Sequence, residues 1–221
     1  TENTIESAYK SSIATIWKDR VAKHQEYTAK IPFSDFKVFD FICQNVPKNS
    51  QLQVSNSSAI RYLQLFDLDK SIQVFCNRGT SGIDGSTSTA IGAALATNLP
   101  TILITGDISF LYDSNALWNN YIPKNFKIIL LNNSGGGIFR ILPGHQETET
   151  FNRYFETSHQ LNASHLAKMY GFDYFEANDE ATLQQQYKSF LNQNEKPSIL
   201  EIFTPEKENN GILLEFFRGL K

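Results

Sequence analysis

Short apolar runs alternate along this chain with longer stretches in which apolar residues recur at helical spacing. Gln51 to Val54, Ser71 to Cys76, Thr101 to Thr105, Lys127 to Leu131, Phe172 to Phe175 and Ser198 to Phe203 have the length and the Ile, Leu, Val and Phe content of buried strands. Between them lie helical patterns. Residues 3 to 23 repeat Ile5, Ala8, Ile13, Ile16, Trp17 and Val21; Ser34 is a candidate N-cap for a helix through Cys43, before Pro47. Further helices are predicted from Ser57 to Phe66, Asp84 to Ala96, Ser114 to Tyr121 (closed by Pro123), Leu161 to Tyr170 and Glu180 to Asn192. This alternation predicts an α/β fold, an open, mainly parallel sheet of about six strands with helices on both faces and right-handed crossovers. Residues 143 to 160 are polar, carry Phe151, Tyr154 and Phe155, and show no period, the pattern of a lid or disordered loop.

The strand ends carry the chemistry. The run from Thr101 stops at Gly106-Asp107-Ile108-Ser109, and the run from Lys127 stops at Asn132-Asn133-Ser134 followed by Gly135, Gly136 and Gly137. If the two strands are parallel, Asp107 and Asn133 sit on the carboxyl edge, where open α/β sheets bind ligands. A carboxylate, an amide oxygen and a glycine carbonyl are hard donors that suit Mg²⁺ once phosphates and water complete an octahedron. The glycine run lets backbone N–H groups approach a phosphate, and the turn from Ile138 adds a helix start. The bland reading is that Gly-Asp and Asn-Asn are ordinary turns, which these residues dominate for steric reasons.

Other strand ends reach the same edge. Asn56 and Ser57 stand at a strand end and helix start, where simple capping is the competing explanation. Arg61, one turn on, is otherwise an ordinary solvated arginine. Arg78 follows the next strand, and two guanidinium groups suit a substrate with carboxylates. Ile83 is apolar at a loop apex, as expected of a residue that props a ring.

Composition narrows the class. With 221 residues, 41% hydrophobic and 19% charged, the chain can bury a full core, and its net charge of −3 gives no argument for nucleic acid. No apolar run approaches the roughly 18 residues of a membrane span, and no signal peptide is visible, so cytoplasm is the default expectation. Cys43 and Cys76 lack metal or redox spacing and read as reduced core thiols. His145, His159 and His165 show no metal-binding spacing and read as ordinary surface or loop histidines. Met169 is the one methionine, so Thr1 is expected to be an internal start, the chain being a piece of a longer protein.

Gly106-Asp107, followed 25 residues after the aspartate by Asn132-Asn133, resembles the metal signature of thiamine-diphosphate enzymes. Ile108 stands where glycine is usual in that signature, as in the MenD branch of the menaquinone pathway. Ser55-Asn56-Ser57 with Arg61, and Asn77-Arg78-Gly79-Thr80-Ser81-Gly82-Ile83-Asp84-Gly85 with Ser88-Thr89, closely match segments of that branch. The resemblance runs from about residue 52 to 143. Ser134 replaces a frequent third asparagine, and Gly137 a larger polar residue.

The resemblance implies a thiamine-diphosphate-binding fold and an enzyme that decarboxylates 2-oxoglutarate and adds the succinyl unit to isochorismate. By position, Asp107, Asn133 and the Gly135 carbonyl would hold Mg²⁺, with Mn²⁺ as a substitute. Gly106, Ile108, Ser109, Gly136 and Ile138 would lie against the diphosphate, and Ile83 would support the bent cofactor. Asn56, Ser57, Arg61 and Arg78 would face the substrates, with Phe139 in the wall. Residues 1–30 are expected to lead in from a preceding domain and 31–221 to form the diphosphate-binding domain. The glutamate that activates the cofactor belongs to an N-terminal pyrimidine-binding domain with no counterpart here, supplied by a second subunit of a homodimer or homotetramer. Should the chain turn over alone, Glu147, Glu149 and Glu156 are the first substitutes to consider. Alternatives are an acetohydroxyacid synthase or 2-oxoacid decarboxylase, or a non-enzymatic α/β phosphate-binding module.

Overall fold

The structure, a computed structural model, describes residues 8–220. Six strands form one sheet: β1 (Gln51–Val54), β2 (Gln73–Cys76), β3 (Thr101–Gly106), β4 (Lys127–Asn132), β5 (Asp173–Ala177) and β6 (Ser198–Phe203). Their order is β2-β1-β3-β4-β6-β5 and every pairing is parallel. The helices are α1 (Ala8–Lys30), α2 (Asp35–Asn45), α3 (Ser58–Leu63), α4 (Ser86–Leu95), α5 (Asp107–Tyr112), α6 (Ser164–Tyr170), α7 (Glu180–Asn192) and α8 (Asn209–Gly219).

Side-chain alternation along the strands builds two cores. Ile102 and Ile104, Ile129 and Leu131, and Leu200 and Ile202 face α2, α3, α7 and α8. Leu103, Ile128, Leu130 and Ile199 face α4, α5 and α6. A strand buried on both faces must be apolar at odd and even positions alike, which is why these strands read as continuous runs. From β1 the chain crosses one face to the edge strand β2; from β3 it crosses the other face to β4. The carboxyl ends of β1 and β3 therefore diverge, and the crevice between them is the topological switch point.

Several elements differ from the sequence expectation. The β3–β4 crossover was expected as a helix from Ser114 to Tyr121; instead α5 begins at Asp107 itself, followed by a 3-10 turn at Ser114–Trp118. Phe110 and Leu117 supply its buried face. Asp113 breaks the run by accepting the Ser88 N–H at 2.7 Å. Residues 143 to 160 are not wholly irregular, since Phe151–Glu156 forms a π-helical turn. Helix α1 runs on to Lys30, and its Ile13, Ile16 and Trp17 are 46%, 54% and 58% exposed, so this stretch of the expected stripe is largely uncovered in the described chain; Ile5 lies outside the described residues. The end of α1 is docked: the His24 ring lies 4.9 to 5.3 Å from Phe36, Phe66 and Phe216. Helix α8 has no counterpart in the expectation, which ends at the last strand. Its Ile212, Leu213 and Phe216 close the first core.

Candidate functional site

A cavity of about 410 Å³ opens at the switch point, walled by the ends of β1, β3 and β4. Register places Gly106 level with Leu131, so Asp107 and the double asparagine leave the sheet side by side. Alternation then separates the two amides. Asn132 turns into the second core, where its Nδ2 donates to the Leu161 carbonyl (2.9 Å) and to Glu201 Oε1 (2.7 Å). Asn133 turns to the cavity, and its Nδ2 donates to Asp35 Oδ2 at 2.9 Å, which leaves its amide oxygen for a ligand.

Asp107 is 4% exposed. Its Oδ1 accepts the Ile108 N–H at 2.7 Å, and its Oδ2 accepts the Gly135 N–H at 2.9 Å. These bonds pin the glycine loop to α5 and orient the Gly135 peptide. Ser134 (φ 64°) and Gly135 (φ 155°) make the reversal. A Cβ at Gly135 would stand 2.8 Å from the Glu156 carbonyl oxygen, so only glycine fits.

The Gly136 N–H donates to the Glu156 carbonyl at 2.6 Å, and the His159 N–H to the Ser134 carbonyl at 3.1 Å. The segment after the π-helical turn thus lies directly on the glycine loop. His159, expected as an ordinary surface or loop histidine, is instead tucked under it, with Nε2 3.3 Å from Asp107 Oδ2. That carboxylate raises the imidazole pKa above its ordinary value, against the opposing effect of burial. Asp35 is likewise buried, and desolvation pushes its pKa up to about 6 despite hydrogen bonds from Thr204 and Asn133.

Among the described residues no three His, Cys, Asp or Glu side chains gather into an all-protein metal cage. One carboxylate, one amide oxygen and the Gly135 peptide, whose carbonyl accepts the Gly137 N–H at 3.0 Å, line the cavity together instead. Such a set leaves a hard cation several coordination positions for phosphate and water, and so fits a metal that arrives with a phosphorylated ligand.

Residues 56–202 match the family described as Thiamine pyrophosphate enzyme, C-terminal TPP binding domain. The chain belongs to that family. It is similar to 2-succinyl-5-enolpyruvyl-6-hydroxy-3-cyclohexene-1-carboxylate synthase from Flavobacterium johnsoniae, 63% identical over 98% of this chain and 39% of the relative. The synthase of the same name from Flavobacterium psychrophilum is 65% identical over 99% of this chain and 40% of its own length. That from Bacteroides fragilis is 41% identical over 87% and 35% respectively. The chain therefore spans about two-fifths of the length of the curated relatives it matches.

In this thiamine-diphosphate-binding domain the cavity brings together Asn56, Ser57, Ile83, Gly106, Asp107, Ile108, Ser109, Asn133, Gly135, Gly136 and Phe139. Ile138, Arg61 and Arg78 stand outside its wall. Asn56 works as a strut: its Nδ2 donates to the Asn77 and Gly82 carbonyls at 2.7 and 2.6 Å, and its Oδ1 accepts from Arg78 Nη1 at 2.9 Å. Arg61 Nη1 donates to the Ser57 carbonyl at 2.7 Å, one helical turn away. Both guanidinium groups are thereby tied to residues of the cavity wall. Ser109 Oγ donates to the Ile83 carbonyl at 2.5 Å, fixing the apex that carries the Ile83 side chain. Ser57 has φ 70°, ψ −130°, a strained backbone of the kind that clusters at functional sites.

Sequence reasoning missed Asp35 and Arg140. Asp35 could be noticed only as the acid after a capping serine. Arg140 is 2% exposed yet lies in a stretch with no periodic signal.

Proposed function

We propose that the chain is the diphosphate- and Mg²⁺-binding domain of a synthase that decarboxylates 2-oxoglutarate and adds the succinyl unit to isochorismate, the activity that the sequence resemblance implies and that agrees with relatives named as succinyl-carboxylate synthases. The observation that carries the site assignment is the meeting of Asp107, the Asn133 amide oxygen and the Gly135 peptide on one wall of the switch-point cavity. In this reading these three hold Mg²⁺, or Mn²⁺ in its place, and the metal clamps the diphosphate. Ser109 and the Gly136 backbone line the same anion, whereas Ile138, expected beside it, stands outside the cavity wall. Because the Gly136 N–H is engaged by Glu156, giving it to a phosphate requires residues 155–157 to shift. Bound thiamine diphosphate supplies the electron sink for the decarboxylation.

The chain's own residues do the positioning. Ile83 presents an apolar shoulder beneath the cofactor, Phe139 closes the wall, and Arg61 and Arg78, with Asn56 and Ser57, orient the substrate carboxylates. Tyr112, Tyr154 and Phe155 on the cavity lining are 67%, 69% and 53% exposed, an apolar rim that suits cover by the protein's own N-terminal domain and a second subunit, as a homodimer or homotetramer. Glu147 and Glu156 are both ion-paired to Arg140, so neither carboxylate suits the activating role, which we assign to that N-terminal domain. A cytoplasmic location belongs to the same reading; no helix among the described residues is long and apolar enough to cross a membrane.

Assay of the full-length protein with isochorismate and 2-oxoglutarate tests this. Turnover that requires both thiamine diphosphate and Mg²⁺ is the expected result. Preference for pyruvate as donor would favour an acetohydroxyacid synthase or decarboxylase, and binding of ADP in place of the cofactor a general phosphate-binding module.

A further inference from the structure

Asp35 opens α2, far from the glycine loop in sequence and outside the segment that matches the family, yet its carboxylate sits behind Asn133. Two other elements fix it there. Its Oδ1 accepts from Thr204 Oγ1 at 2.6 Å at the end of β6, and its own N–H donates to Asn209 Oδ1 at 2.8 Å at the start of α8. Asn209 is held in turn, its Nδ2 donating to the Pro205 carbonyl at 2.7 Å. Asp35, Thr204 and Asn209 are 2%, 9% and 6% exposed, so water does not compete for these bonds. The remaining oxygen, Oδ2, takes the Asn133 Nδ2 at 2.9 Å.

We infer that Asp35 is a positioning residue for the cation: it fixes which end of the Asn133 amide faces the metal. This rests on the proposal that Asn133 is a metal ligand. Each Asp35 oxygen takes one donor, Oδ1 the Thr204 hydroxyl and Oδ2 the Asn133 amide, so the amide nitrogen faces Asp35 and the oxygen faces the cavity. The terminal torsion of asparagine is broad and roughly two-fold, and without an acceptor behind it nothing in the amide itself prefers the ligating rotamer. Partners that orient a metal ligand typically account for about 10- to 100-fold in metal affinity.

The test is an Mg²⁺ titration of the full-length protein at saturating thiamine diphosphate, read by calorimetry. Asp35→Ala is expected to raise the half-saturating Mg²⁺ about 10- to 100-fold. Asp35→Asn, which offers a donor as well as an acceptor, is expected to weaken Mg²⁺ less than alanine does. Excess Mg²⁺ should restore kcat in both, a rescue that a collapsed structural residue does not show. Wild-type Mg²⁺ dependence in either variant, a deficit as deep in asparagine as in alanine, or failure of excess metal to restore kcat overturns the inference. If the alanine variant does not fold, the asparagine variant decides alone: weakened and rescued supports, unchanged or unrescued overturns. Asp107→Ala separates the two layers. Unaltered Mg²⁺ dependence there removes the metal reading itself; loss there with wild-type behaviour at Asp35 removes only this inference.

Discussion

The Arg140 guanidinium grips the Glu156 carboxylate with two N–H groups, and both side chains are almost wholly buried, at 2% and 1% exposure. Arg140 also pairs with Glu147 and lies 5.8 Å from the Phe151 ring centroid. One arginine thus ties the turn at Gly137–Ile141 to the π-helical segment, and the backbone of that segment holds the Gly136 N–H. Removing one partner of a buried pair strands the other charge, at a cost of about 3–5 kcal/mol. Glu156→Ala is accordingly expected to lower the melting temperature and expose residues 143–160 to protease. The double change Arg140→Met with Glu156→Leu, which leaves no buried charge behind because Glu147 is half-exposed and still beside Lys207, should recover most of the loss. Equal destabilisation in the single and double variants would show that the pair is not what holds the segment.

Asp107→Ala is predicted to abolish Mg²⁺-dependent cofactor binding in the full-length protein without unfolding the domain. It removes the one charged donor of the set together with the acceptor of the Gly135 N–H, so a lowered melting temperature is expected beside the loss of binding while the sheet stays folded. Unchanged cofactor affinity contradicts the assignment; loss of folding instead favours a purely structural turn.

Much of this was legible in the sequence because a two-faced parallel sheet forces its strands to be apolar throughout, and Ile102 to Ile104 and Ile128 to Leu131 obey that rule, with the buried Thr105 as the one polar interior position of the two strands. Their polar ends then locate the site edge. What could not be read is what long-range contacts decide. Asn132 and Asn133 are the same residue type in neighbouring positions, and only their opposite pointing separates a core strut from a cavity amide. Asp35 meets Asn133 through an approach of α2, β6 and α8 that no local pattern encodes. The π-helical turn is tied down by Arg140 through Glu156, a contact that its own spacing does not announce.

Gly135→Ala should be damaging out of proportion to one methyl group. The new Cβ meets the Glu156 carbonyl oxygen at 2.8 Å, and φ 155° is strained for any L side chain. Cofactor affinity is expected to fall and protease cleavage within 143–160 to accelerate; a variant with wild-type values for both shows that the loop has slack that the structure does not.

Ser57 offers the opposite case. Its φ of 70° costs of the order of 1–3 kcal/mol in a non-glycine residue, so Ser57→Gly should raise the melting temperature of the cofactor-free protein even as it removes a hydroxyl from the cavity. A lower melting temperature would show that the hydroxyl contributes more than the strain costs.

Arg78→Lys keeps the charge but loses the two-pronged geometry and the bond to Asn56 Oδ1. We expect kcat/KM for 2-oxoglutarate to fall at least tenfold, about 1.4 kcal/mol of transition-state stabilisation, with cofactor binding retained. Wild-type kinetics would return Arg78 to the class of solvated loop arginines.

The central claim, that Asp107, Asn133 and Gly135 hold a metal that in turn holds a diphosphate, is tested most directly by calorimetric titration of thiamine diphosphate into the full-length protein with Mg²⁺ and again with a chelator, with ADP as the comparison ligand. The account predicts saturable binding of thiamine diphosphate only when Mg²⁺ is present, and no comparable binding of ADP. Thiamine diphosphate binding that ignores the chelator, or ADP binding of equal strength, would contradict it.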